Sequence, residues 1–204
     1  VDFIEGALTE PLACCVHAAT EFTHIAAGDV VLVTGDGAIG LLVMQIAKAG
    51  GGTVVLCGHN DARLSLGRTL GADYVVNVRK EDPAPLVQEL CDGYGADVVI
   101  ECAGSASAVN LGLQLVRMRG QYTQVGLFGQ PIEVDLEKIA YKELRVAGSF
   151  NQQWTSWERA LRYLCEGTVQ TRPLVSDILP LSRWQEGFRK YENREATKVI
   201  LVPE

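Results

Sequence analysis

The sequence predicts an α/β fold, with helices on both faces of a doubly wound, parallel, six-stranded sheet. Three observations predict it. Short β-branched apolar runs recur along the chain, amphipathic stretches with helix start and stop signals separate them, and a glycine-rich turn joins the first run to its helix. Strand-helix-strand alternation with helices of this length implies parallel pairing through right-handed crossovers.

The elements follow in order. Glu10 to Thr20 reads as a helix, because Pro11 suits a first turn and Leu12, Val16 and Ala19 fall on one stripe. Val30 to Thr34 is continuously apolar, as a strand covered on both faces must be. Strands are likewise predicted over Thr53 to Cys57, Tyr74 to Asn77, Asp97 to Glu101, Gln121 to Val125 and Arg145 to Phe150. Helices are predicted over Ala38 to Gly50, Asn60 to Leu70, Pro83 to Cys91 and Ser105 to Val116, with a short one near Leu136 to Glu143. Asn60 can cap with its side-chain oxygen, Asp82-Pro83 supplies a cap and a first-turn proline, and Gly71 can take a left-handed stop. Beyond the sheet come a helix from Trp154 to Glu166 stopped by Gly167, an extended Leu174 to Leu179, a helix over Ser182 to Glu192 and a strand over Lys198 to Val202. With no crossover helix assigned to join it to the sheet, that last strand is expected to pair with something outside the chain. Trp154 and Trp157 are expected to pack their helix, the alternative being that they border a pocket.

Composition narrows the function classes. With 204 residues, 48% apolar and 21% charged, the chain can bury a core without staple or metal. No stretch free of charge and Gln, Gly37 to Met44 among them, reaches the roughly 18 apolar residues of a membrane span. A net charge of −7 argues against the concentrated basic surface that nucleic acid requires. Cys14, Cys15, Cys57, Cys91, Cys102 and Cys165 form no Cys-x-x-Cys pair and read as reduced, mostly buried thiols of a cytoplasmic protein. The opening Val1-Asp2-Phe3-Ile4-Glu5 is acidic and lacks a leading Met, so it reads as a cut rather than as a signal peptide.

Gly35-Asp36-Gly37-Ala38-Ile39-Gly40 follows the first strand and opens a helix. In that setting Gly35 permits the tight turn, Gly37 lets a pyrophosphate approach the backbone, and Gly40 lets helix and strand pack closely. The helix N-terminus then offers free N–H groups to the phosphates. Asp36 is expected to face solvent, since an inward carboxylate would repel them. The alternative is that the glycines serve only a tight turn.

The tip of the second strand reads the adenosine ribose in such folds, usually with an acid about twenty residues past the glycines. Here the tip is Cys57-Gly58-His59-Asn60, with no acid. His59 and Arg63 could instead contact a 2′-phosphate, which tilts the expectation to NADP over NAD. The alternatives are that His59 is a solvated loop residue and Arg63 lies on an exposed helix face, and Asp61 is nearby.

Glu10, Cys14 and His17 share one helix face, but the first and last lie roughly 10 Å apart along the axis, too far for one zinc ion. Cys14 and Cys15 diverge by about 100° on a helix and cannot chelate as a pair. No Gly-x-Ser-x-Gly elbow or His-Glu-x-x-His helix is present.

In chain order, Glu10-Pro11-Leu12-Ala13, Gly35 to Gly40, Gly71-Ala72-Asp73, Glu101-Cys102-Ala103-Gly104, Val125-Gly126-Leu127, Gly148-Ser149-Phe150 and Lys198-Val199-Ile200-Leu201 resemble the medium-chain dehydrogenase/reductases, in their zinc-containing alcohol and polyol branch. The resemblance implies a Rossmann domain over 12–150. It also implies that 1–11 and 151–204 belong to, or pack on, an N-terminal catalytic domain that this sequence does not contain. Ala38 and Ile39 would lie under the pyrophosphate, and Cys102, Ala103 and Gly104 would line the adenosine side. Val125, Gly126, Leu127, Ser149 and Phe150 would touch the nicotinamide end, and Lys198 would reach the pyrophosphate. Gly58 resembles the small residue of NADP-using members, whereas Arg63 does not discriminate in that comparison. Glu10 would be a zinc ligand, direct or through water, with its partner ligands outside this chain.

The implied activity is hydride transfer between NAD(P) and an alcohol or polyol, with zinc polarising the substrate oxygen in the complete enzyme and this part alone inactive. A homodimer or other even oligomer is expected through strand 145–150. The alternatives are a zinc-free quinone or enone reductase of the same superfamily, which Glu10-Pro11-Leu12 argues against, and a non-catalytic dinucleotide sensor.

Overall fold

The computed structural model describes all 204 residues. Six parallel strands form its main sheet: β1 (Val30–Thr34), β2 (Thr53–Gly58), β3 (Tyr74–Asn77), β4 (Ala96–Glu101), β5 (Val116–Gln124) and β6 (Arg145–Gly148). Their spatial order is β3-β2-β1-β4-β5-β6, so the winding reverses between β1 and β4. Helices α1 (Phe3–Gly6) and α2 (Thr9–Val16) precede the sheet, and α3 (Ala38–Ala49), α4 (Asp61–Thr69), α5 (Ala84–Leu90), α6 (Ala106–Leu115) and α7 (Glu137–Tyr141) connect its strands.

Alternation along the strands sorts the core into two layers. Val31, Val33, Val54, Leu56, Val98 and Ile100 face a cluster built with α2 and α3. Leu32, Val55, Cys57 and Val99 face the opposite cluster, which Val87 of α5 and Val109 and Leu113 of α6 complete. Because both faces are covered, the central strands can be apolar at every position, which is the pattern that made them visible in the sequence.

The local signals act as expected in most places. Asn60 Oδ1 accepts from Arg63 N at 3.1 Å, and Gly71 takes a φ of +107° after α4. Asp82 Oδ1 accepts from Ala84 N at 2.9 Å, so Pro83 stands at the cap and the helix proper starts one residue later than predicted. β5 begins at Val116 rather than Gln121. Its early part is irregular, with Arg119 at φ +57° and a register jump from Ala96–Val116 to Val98–Gln121. The predicted helix from Glu10 is α2 followed by a π-helical turn over His17–Glu21. Beneath that turn Thr23 Oγ1 meets Thr123 Oγ1 at 2.8 Å. Beside it Glu21 accepts from Thr155 at 2.6 Å and Ser156 at 3.1 Å on α8 (Trp154–Cys165).

The last strand corrects an expectation. β7 (Val175–Pro180) and β8 (Lys198–Val202) pair in parallel as a separate two-stranded sheet, and α9 (Trp184–Glu192) joins them. The final strand therefore has its partner within the chain. Gly187 lets α9 approach closely, since a Cβ there would lie 3.2 Å from Val199. Of the two tryptophans, Trp157 packs on the core while Trp154 is exposed and donates to Glu158 at 3.1 Å. The six cysteines are unbridged; Cys15 and Cys57 are buried and Cys165 is exposed, so fewer thiols are buried than expected. No helix is long and apolar enough to cross a membrane.

Candidate functional site

Parallel strands place all their C-terminal ends on one edge, and the reversal between β1 and β4 opens a crevice there. The β1–α3 turn enters that crevice. Gly35 has φ +111°, and a Cβ on it would lie 2.8 Å from Ala103 N and from Cys102 C. A Cβ on Gly40 would stand 1.8 Å from Gly35 O. These two glycines are thus demanded by backbone packing. Gly37 differs: it caps α3 in an extended conformation, and a Cβ there would meet nothing within 4 Å. The N–H groups of Ala38, Ile39 and Gly40 have no intramolecular acceptor, and no acidic side chain lies in the first turn. Free donors, a positive helix end and open space at Gly37 fit a diphosphate.

Glu101 organises the other side of the crevice. It ends β4 and is fully buried, and its Oε1 accepts from Ala103 N at 2.8 Å and Gly104 N at 2.9 Å. Gln124 donates to its Oε2 and also to Gly126 O at 2.8 Å. The Glu101 backbone carbonyl takes the N–H groups of Val125 and Gly126 at 2.8 and 2.9 Å. One residue therefore fixes both the 102–104 and the 125–126 segments. They interlock, because a Cβ on Gly104 would lie 2.4 Å from Leu127 O and one on Gly126 would lie 2.3 Å from Gly104 N. Burial pushes the Glu101 carboxyl above its ordinary value, against the amide and carboxamide donors that favour the charged form. Glu101 is not among the site residues that the sequence singles out; an acid closing an apolar strand is the signal that marks it.

Beyond β6, Ser149 is buried and donates its N–H to Gln124 O at 2.9 Å, while Phe150 and Leu127 are exposed at the mouth. Cys102 is half-buried, and burial holds its thiol well above the ordinary range. Two predicted residues are drawn elsewhere. Arg63 donates from Nη2 to the carbonyls of Arg194 at 2.9 Å and Ala196 at 2.8 Å, so its guanidinium ties α4 to the segment that leads into Lys198 at the start of β8. Asp36 does not face solvent. Its side chain is 3% exposed, and Oδ2 accepts from His59 N at 2.9 Å and Asn60 N at 2.7 Å. Two amides at the tip of β2 attract the carboxylate more than solvent does.

Zinc is a different case. Glu10 is exposed on α2 and meets Cys14 Sγ at 3.4 Å, and Cys14 turns also to Gln152 at 3.0 Å. His17 is buried and paired with Glu21 instead. No three His, Cys, Asp or Glu side chains come together to hold a metal ion, so this chain by itself makes no zinc site.

The sheet order and the glycine-lined crevice define a Rossmann-type dehydrogenase fold. The profile of the zinc-binding dehydrogenases matches residues 38–166, and the chain belongs to that family. It is 46% identical to a sorbitol dehydrogenase of Halalkalibacterium halodurans, covering 100% of this chain and 60% of the relative. It is 40% identical to a D-arabitol-phosphate dehydrogenase of Enterococcus avium, over 96% of this chain and 56% of that one. A solved structure from Sinorhizobium meliloti 1021, described as a zinc-binding dehydrogenase bound to NADP, superposes with a TM-score of 0.88 at 30% identity, covering 100% of this chain and 60% of that one. The chain thus spans about 60% of the length of such relatives.

Proposed function

We propose that this chain is the nicotinamide-dinucleotide-binding part of an oxidoreductase that moves hydride between NAD or NADP and an alcohol or polyol. The observation that carries the reading is the trio of unpartnered amides at Ala38, Ile39 and Gly40, set at the reversal of the sheet with open space above Gly37. The polyol dehydrogenase names of the relatives and the NADP of the Sinorhizobium structure support the ligand and substrate classes. Residues 12–150 form the cofactor domain in this proposal, and 1–11 and 151–204 pack on or belong to a catalytic part. When bound, the nicotinamide supplies the hydride acceptor or donor.

Gly35, Gly37, Ala38, Ile39 and Gly40 hold the diphosphate; Gly58, His59, Cys102, Ala103 and Gly104 border the adenosine. Val125, Gly126, Leu127, Ser149 and Phe150 present backbone groups to the nicotinamide end, and Lys198 lies toward the diphosphate. Glu10 contributes to zinc only together with ligands outside this chain. Of the supports for NADP over NAD, Arg63 is committed to two carbonyls and Gly58 is filled by Asp36. His59 alone remains on the NADP side.

Titration of the 204-residue chain with NADH and with NADPH, followed by nicotinamide fluorescence, tests the reading. Saturable binding of at least one coenzyme is expected, with no turnover of sorbitol. No association of either with folded protein at millimolar supply sinks the proposal.

The β6 edge carries Arg145, Val146 and Gly148 exposed at the end of the sheet. Such an edge is best covered by a second copy. We propose self-pairing there, and light scattering should return twice the 22.1 kDa chain mass or a higher even multiple of it. A monomeric mass at working concentration refutes it.

A further inference from the structure

We propose that Asp36, reaching over from the glycine turn, supplies the carboxylate that reads the adenosine ribose and gives the chain a preference for NAD over NADP. The inference rests on the dinucleotide reading above and deepens it. At the tip of β2, an ideal Cβ on Gly58 would fall 2.5 Å from the Cβ, Cγ and Oδ2 atoms of Asp36. The carboxylate therefore occupies the volume that a side chain at position 58 would fill. The tip itself carries no acid in the sequence, because the acid arrives from 22 residues earlier in the chain.

The group is built in rather than loosely placed. Its Oδ2 is held by the N–H groups of His59 and Asn60, at 2.9 and 2.7 Å, and its side chain is 3% exposed. Oδ1 makes no hydrogen bond within the chain and stands 3.8 Å from His59 Nδ1. It keeps its acceptor capacity for a ligand hydroxyl. A dinucleotide whose diphosphate sits on the α3 amides extends its adenosine toward the end of β2, so a ribose diol would meet this oxygen there. A 2′-phosphate would instead meet an anion in a poorly solvated place, where like charges repel strongly.

The cations that could offset that repulsion are mostly committed. Arg63 is bound to the carbonyls of Arg194 and Ala196, and Lys80 is paired with Asp61 at 2.7 Å. Arg79, two residues past the end of β3, is exposed and carries no ion pair, and His59 lies against Asp36 itself.

The test is a side-by-side fluorescence titration of wild type and Asp36→Asn with NADH and NADPH at fixed ionic strength. Circular dichroism of both proteins serves as the folding control. Wild type should bind NADH at least tenfold more tightly than NADPH. In Asp36→Asn, NADH should weaken severalfold and NADPH should tighten, so that the ratio falls at least fivefold. Should the variant fail to fold, wild type alone decides, with ADP expected to compete better than 2′,5′-ADP. Equal affinity of wild type for the two coenzymes, or an Asp36→Asn variant that weakens both equally, overturns the role given to Asp36. Neither coenzyme binding to folded wild type overturns the dinucleotide reading itself, and this proposal with it.

Discussion

Replacing Glu101 by alanine is expected to lower the free energy of unfolding by about 3 kcal/mol or more, because two backbone amides and one carboxamide lose a buried acceptor at no less than about 1 kcal/mol each. Cofactor affinity should fall with it, since the same bonds hold the 102–104 and 125–126 segments on the two sides of the crevice. Urea denaturation reads the first effect and titration the second; a loss under about 1 kcal/mol would mean those amides find other partners. Glu101→Gln keeps one carbonyl oxygen and should cost less. It also isolates a pH effect. Burial raises the carboxyl of Glu101 in the folded chain above the ordinary value of 4.5, so the folded state binds that proton more tightly than the unfolded state does. The stability contributed by the protonated form is complete below that value and is lost as the pH rises through the folded value. Wild-type stability relative to Glu101→Gln should therefore decline with rising pH above about 4.5. A difference that instead increases with pH would reverse the assignment.

Gly40→Ala is the second large effect. The new methyl would sit 1.8 Å from Gly35 O, a backbone atom that cannot step aside, so α3 must lift from β1. A cost of about 3 kcal/mol or more follows, at the upper end for overpacking. Gly37→Ala provides the contrast. It meets open space, so stability should change by no more than about 1 kcal/mol, the scale of a cap substitution. Coenzyme affinity should nevertheless fall about tenfold or more, since a close backbone approach is what a glycine there provides. A Gly37→Ala protein that binds as wild type does would show that the open space is not the diphosphate seat.

How much of this was legible in the sequence depended on how local the cause was. β1 and β2 appeared because strands covered on both faces need an apolar residue at every position, and Val30 to Thr34 supply one nearly throughout. Asn60 and Gly71 were readable as cap and stop because each acts within a turn of itself. The fates of Asp36 and Arg63 were not legible, since their partners lie at the β2 tip and at Arg194 and Ala196, and no periodicity carries that information. The partner of β8 was missed for the same reason. Ser182 to Glu192 was predicted as a helix, yet nothing local said that the helix there joins β7 to β8 as a parallel pair. The irregular start of β5 escaped because Arg117, Arg119 and Gly120 break the apolar run that marks the other strands.

The π-helical turn at His17–Glu21 has an evolutionary corollary. Its wider coil accommodates one more residue than a regular turn, which offsets everything after it by about 100°. Excising a single amino acid there would not merely shorten a surface. It would swing Glu21 out of reach of Thr155 and Ser156 and Thr23 away from Thr123, so two anchorages would be lost at one stroke. Length at this spot should consequently be guarded more strictly than residue identity.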